Sequence, residues 1–148
     1  MKWCNQLLPP CRVSFLGRIF ITKIACGGHH ILALNKQGKV YSWGDNLWSQ
    51  LGRPVDQTNH IPTLIKKLKG VESISCGASH SVALTNVGKI YVWGNNDAGR
   101  CVTGLTDLTV PTPFDVTANV LPNSEDGVKK VSAGPLNTWV LTKNSKIK

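Results

Sequence analysis

Two stretches of this chain are copies of one another at a fixed offset of fifty residues. Ile24 to Asn46 aligns with Ile74 to Asn96 without a gap and with twelve identities in twenty-three positions, among them Cys26/Cys76, His30/His80, Trp43/Trp93 and Gly44/Gly94. Self-similarity at a period of about 20–50 residues marks a chain of stacked supersecondary units, none of which buries its apolar face alone. A side chain that recurs at the period therefore serves the unit first. Only departures from the period are free to be particular to this protein.

A fainter third copy begins at Val131-Ser-Ala-Gly134 and continues through Thr138 to Thr142, with Gly134 in the place of Gly77 and Leu141 in that of Leu84. Upstream, Asn5-Gln6-Leu7-Leu8 resembles Ser49-Gln50-Leu51-Gly52, and Pro10, Val13 and Leu16 parallel Pro62, Ile65 and Leu68. The expected organisation is one domain over 1–148 that begins and ends inside units. Residues 1–20 would be the tail of a preceding unit, 21–70 and 71–127 two full units, and 128–148 an incomplete one.

Alternation sets the secondary structure. His80–Thr85 and Lys89–Trp93 are rich in β-branched and aromatic residues and flank Asn86-Val87-Gly88, which predicts a hairpin. The first copy repeats it around Asn35–Gly38. Val71–Cys76 supplies another strand and Pro62–Ile65 a weaker one at an edge, where proline is tolerated. Four short antiparallel strands per fifty residues make a propeller blade. The predicted fold is all-β, a partial β-propeller of four-stranded antiparallel blades, with two full blades within 21–101 and incomplete flanking units. Val102–Gly127 reads as an aperiodic insertion, seven residues longer than the first repeat spacing, stiffened by Pro111, Pro113 and Pro122.

The cysteines at 4, 11, 26, 76 and 101 are odd in number and form no Cys-x-x-Cys pair, so a disulfide framework is not expected. Cys26, His29 or His30, Cys76 and His80 offer zinc-type donors, but each cysteine precedes a glycine inside a repeated strand, where a small side chain packs well. No metal or cofactor is expected. No apolar run approaches the roughly 18 residues of a membrane span, and the absence of acidic residues before Asp45 is only faintly leader-like. The expected location is cytoplasmic or nuclear. A net charge of +9 favours anionic partners, with Lys66, Lys67 and Lys69 plus Lys129 and Lys130 as one electropositive edge for weak nucleic acid or chromatin contact; scattered solubilising lysines are the plainer reading.

The pattern Ile-x-Cys-Gly-x-x-His-x-x-Ala-Leu, then Gly-Lys-Ile-Tyr-x-Trp-Gly-x-Asn, resembles the repeat of the regulator of chromosome condensation family. Ser49, Arg100-Cys101-Val102 and Asn137 depart from it. The resemblance implies a seven-bladed propeller. It also implies a choice of roles, from nucleotide exchange on the small GTPase Ran with chromatin docking to scaffolding in ubiquitin ligases, kinases and ciliary proteins, or ultraviolet-B reception. The last is set aside, since the photoreceptor's Gly-Trp-Arg-His-Thr arrangement is missing.

His30 and His80 match the repeat histidine, and Asp45, Asn46, Asn95, Asn96 and Asp97 follow Trp-Gly. All seven are candidate partner contacts, against the plainer reading that the histidines bond backbone within their blade and the others cap turns. With no nucleophile, base and orienter set and no phosphate-binding Gly-Lys loop, the chain is expected to be a protein-interaction module rather than an enzyme. Exchange on a Ran-like GTPase is the alternative, and open blade edges are expected to favour self-association.

Overall fold

A computed structural model describes residues 12–54, 56, 59–122, 127–144 and 147. The upstream parallels at Asn5–Leu8 and Pro10, with Cys4 and Cys11, lie outside these residues. A 3-10 turn at Ser14–Leu16 leads into β1 (Ile21–Cys26), β2 (His30–Asn35), β3 (Val40–Gly44) and β4 (Thr63–Leu64), paired in that order as one antiparallel sheet. A second four-stranded sheet follows from β5 (Val71–Cys76), β6 (His80–Thr85), β7 (Ile90–Asn95) and β8 (Thr109–Asp115). A third, from β9 (Val128–Ala133) and β10 (Thr138–Thr142), has two strands among the described residues.

The fifty-residue copies are structural copies as well. Ile31 pairs with Trp43 as Ser81 pairs with Trp93, and His30 with Gly44 as His80 with Gly94. Both inner hairpins carry the same irregularity, at Ile21/Lys23 and Val71/Ser73. Matching positions form one core: Leu32 and Val82, Leu34 and Leu84, Val40 and Ile90, and Ile65 and Val116 are all buried. At a further repeated position, Ile24 is 66% exposed whereas Val131 is 2% exposed. Each later blade packs that residue on its predecessor, and β1 has no such neighbour among the described residues.

One expectation is corrected here. The second blade does not close within 21–101, because its outer strand is β8, inside the segment read as an insertion. Pro111 and Pro113 sit on it, at the sheet edge where a missing N–H is tolerated. The Val116 N–H bonds Ile90 O at 2.9 Å just as the Ile65 N–H bonds Val40 O at 2.9 Å. Val116 stands one residue beyond the fifty-residue offset from Ile65, so all but one of the extra residues come after it, where one helical turn, Thr117–Val120, precedes the third sheet.

Among the described residues Ser49, Ala98 and Val102 are the non-glycine positions with positive φ, and of these Val102 is β-branched. Gly52 has φ +66° and its counterpart Val102 has φ +53°, a left-handed conformation that a β-branched residue adopts only under constraint. Val102→Gly is expected to raise stability by about 1 kcal/mol after the glycine's own entropic cost. Gly52→Val should instead lower it, because a Cβ there would stand 2.8 Å from the Trp93 indole nitrogen. Urea unfolding midpoints of the two variants check both signs.

Candidate functional site

The strands alternate in direction, so the blades have two unlike ends. At one, which we call the turn end, β1, β5 and β9 begin and tight turns join β2 to β3 and β6 to β7. At the other, the loop end, long connections leave β3 and β7.

Successive blades are joined at the loop end by a relay that repeats. The Ser81 hydroxyl donates to Gln50 O at 2.9 Å, so its oxygen accepts from His30 Nε2–H at 2.8 Å; the Trp93 indole N–H donates to the same carbonyl at 2.9 Å. In the next pair the Thr138 hydroxyl donates to Arg100 O at 2.9 Å and accepts from His80 Nε2–H at 3.1 Å. The histidines therefore bond the following blade rather than backbone of their own. Each ring lies where a Cβ on Gly27 or Gly77 would fall, and such a Cβ would also stand 2.6 Å from the carbonyl oxygen of Gly77 or Gly134. Backbone completes the joint, with the Gly28 N–H on Ala78 O and the Ala78 N–H on Pro135 O, both at 3.0 Å.

Burial fixes the charge state of these rings. Desolvation, assisted for His30 by His80 and for His80 by Arg100, lowers each from 6.5 to about 4. Cys76 and Cys101 are pushed up to about 12, chiefly by burial, and stay thiols; the Cys76 Sγ rests 3.5 Å from Ala25 O. Among the described residues no group of three His, Cys, Asp or Glu side chains is placed to hold a metal ion.

The other candidates divide by exposure. Asn46, Asn95 and Asn96 are buried. Asn46 Oδ1 accepts the Leu51 N–H at 3.0 Å as Asn96 Oδ1 accepts the Cys101 N–H at 3.1 Å, and the Asn96 amide also donates to Asp107 O at 2.8 Å. Asn95 Oδ1 holds the Asp97 N–H at 2.7 Å. Asp45 is half-buried and accepts from Gln50 Nε2 at 2.9 Å, while Asp97 is exposed beside Arg100 at 3.6 Å. Beside these two acids the loop end exposes Leu47 (84%), Trp48, Leu105, Leu108 (64%) and Leu136. Sequence reasoning missed these apolar tips because they fall where the copies differ; Leu47 aligns with Asp97 and Trp48 with Ala98. It also missed Gln50, whose contribution to the relay is a main-chain carbonyl that any residue could supply.

Charge divides in the same way. All ten lysines among the described residues lie toward the turn end: Lys23, Lys36, Lys39, Lys66, Lys67, Lys69, Lys89, Lys129, Lys130 and Lys143. Of the six described carboxylates, Asp45, Asp56, Asp97 and Asp107 lie on loop-end connections. The two lysine groups noted in the sequence are thus on one end.

Stacked, near-identical four-stranded sheets joined through their inner corners define a β-propeller. Models of the regulator of chromosome condensation (RCC1) repeat match residues 37–84 in one form, and 21–47 and 71–100 in another. The chain belongs to the regulator of chromosome condensation repeat family. It is 43% identical over 63 residues to the probable E3 ubiquitin-protein ligase HERC4 of Mus musculus, covering 42% of this chain and 6% of that protein. It is 32% identical over 141 residues to the human probable ligase HERC6, covering 93% of this chain and 14% of that protein. The crystal structure of Prp20p from Saccharomyces cerevisiae superposes with a TM-score of 0.75 at 28% identity, over 88% of this chain and 30% of that one. The chain thus spans a small part of each relative.

Protonating either relay histidine is disfavoured in the fold. Between the unfolded value of 6.5 and the folded value of about 4, the unfolded chain binds more protons, so stability is complete above that window and is lost as pH falls through it. Each ring accounts for about 3 kcal/mol at the acid limit. Thermal midpoints are expected to fall steeply between about pH 6.5 and 4 and to fall less in a His80→Gln variant.

Proposed function

We propose that this chain is a protein-interaction module that grips its partner at the loop end of the blades. The observation carrying this is that Leu47, Trp48, Leu105, Leu108 and Leu136 are all exposed at one end of the blades, the Leu47/Trp48 and Leu105/Leu108 loops being held by hydrogen bonds of Asn46 and Asn96. Exposed apolar groups rimmed by polar ones mark association surfaces, and loops on a rigid frame are where partner-specific contacts gather. Asp45 and Asp97 supply the polar rim, while His30, His80, Asn46, Asn95 and Asn96 act indirectly, by fixing the loops. A cytoplasmic or nuclear location accompanies this reading; among the described residues no helix is long and apolar enough to cross a membrane.

Nucleotide exchange on a small GTPase is the second reading. What favours it is the similarity to Prp20p, whose structure is described together with its binding to Gsp1p and histones. Exchange requires many small differential contacts to add up against a tightly held nucleotide. Among the described residues two four-stranded sheets and one of two strands present a limited arc of rim for them.

Release of a fluorescent guanine nucleotide from a panel of small GTPases is expected to be unchanged by the 148-residue chain. Acceleration that Asp97→Lys abolishes would instead establish the exchange reading. Asp97 is the informative variant because it is exposed, whereas His80→Ala would break the joint between blades.

A further inference from the structure

We propose that the turn end is a second docking surface, built for an acidic segment of a partner protein that carries apolar anchor residues. The proposal rests on the interaction-module reading and adds a second face to it. Three observations lead there.

The ten lysines at that end are all exposed, and only Lys89 forms an ion pair among the described residues, with Asp115 at 3.1 Å. Glu72 and Asp115 are the only described carboxylates nearby. Like charges gathered this way repel one another and raise the potential over the face, which an anionic partner relieves. The carboxylates of this chain are placed mainly at the opposite end, so the asymmetry is a property of the fold and not just of the net charge.

The relief of the face selects among anions. Beside the β4–β5 connection a cleft of about 540 Å3 has Lys39, Lys66 and Lys69 around Leu64 and Leu68. Nearer the inner strands a second, of about 410 Å3, sets Lys23, Lys129 and Lys130, together with the single carboxylate of Glu72, around Leu84 and Leu141. In both, apolar side chains lie recessed between lysines. A duplex backbone offers phosphates to such a face and nothing to an apolar floor, and a bilayer favours apolar groups that protrude. A peptide fits both features, with carboxylates on the ammonium groups and an aliphatic or aromatic side chain in the cleft.

Fluorescence anisotropy with the whole chain at about 150 mM salt tests this, using a labelled peptide of repeated Glu-Glu-Leu, a Glu-Glu-Ser control, a DNA duplex of matched charge and phosphatidylserine vesicles. The Glu-Glu-Leu peptide is expected to bind about tenfold more tightly than the other three. Paired Lys66→Glu and Lys69→Glu substitutions, on exposed side chains, are expected to weaken it by about tenfold, and paired Lys129→Glu and Lys130→Glu read the second cleft with the fold checked by circular dichroism. Equal or tighter binding of duplex or vesicles, or peptide affinity indifferent to both charge reversals, would overturn the proposal. Binding through the loop end is read separately by Asp97→Lys, so this face can fail as a docking site while the interaction-module reading stands.

Discussion

Everything in this structure depends on a steric exclusion at the inner corner of each blade. The space beside Gly27 and Gly77 holds an imidazole and a neighbouring carbonyl, and a Cβ would displace both. Given glycine, the ring reaches the next blade's hydroxyl, and that hydroxyl in turn holds a carbonyl of the first blade. One small residue therefore lets an intrablade turn become an interblade joint. The third sheet shows the same rule with a different side chain: Asn137 replaces histidine, and its Oδ1 takes the place where a Cβ on Gly134 would fall.

With the inner corners fixed, chain direction does the rest. Strands that run alternately toward one end and the other send the β2–β3 and β6–β7 turns to the turn end and the connections that leave β3 and β7 to the loop end, so each end accumulates its own chemistry. Apolar tips and carboxylates collect on the long connections, and lysines collect where β1, β5 and β9 start. Two unlike faces arise without a second domain.

The repeated part was legible because period, turns and alternation all pointed to the same unit, and the register pairs of the two sheets are the same residues shifted by fifty. What escaped was β8. Its two prolines and the drift in phase after Cys101 hide a strand from pattern reading, although the hydrogen bond of Val116 restores the correspondence with Ile65. The repeat histidines were found by their recurrence, but their burial was not. Nothing in Gly-x-x-His says that the ring folds back over the glycine; that requires knowing that the next blade's backbone lies directly behind it. The exposed leucines were silent for the opposite reason, since they lie where the copies disagree.

The outer margins of the two complete sheets differ from their inner corners in one respect with consequences for solution behaviour. β4 is two residues long, and β8 carries Pro111 and Pro113, which have no N–H to give. A strand arriving from another molecule would find too short a template on the first margin and missing donors on the second. Both outer edges thus make poor templates for pairing with another molecule, one through the shortness of its strand and the other through its prolines.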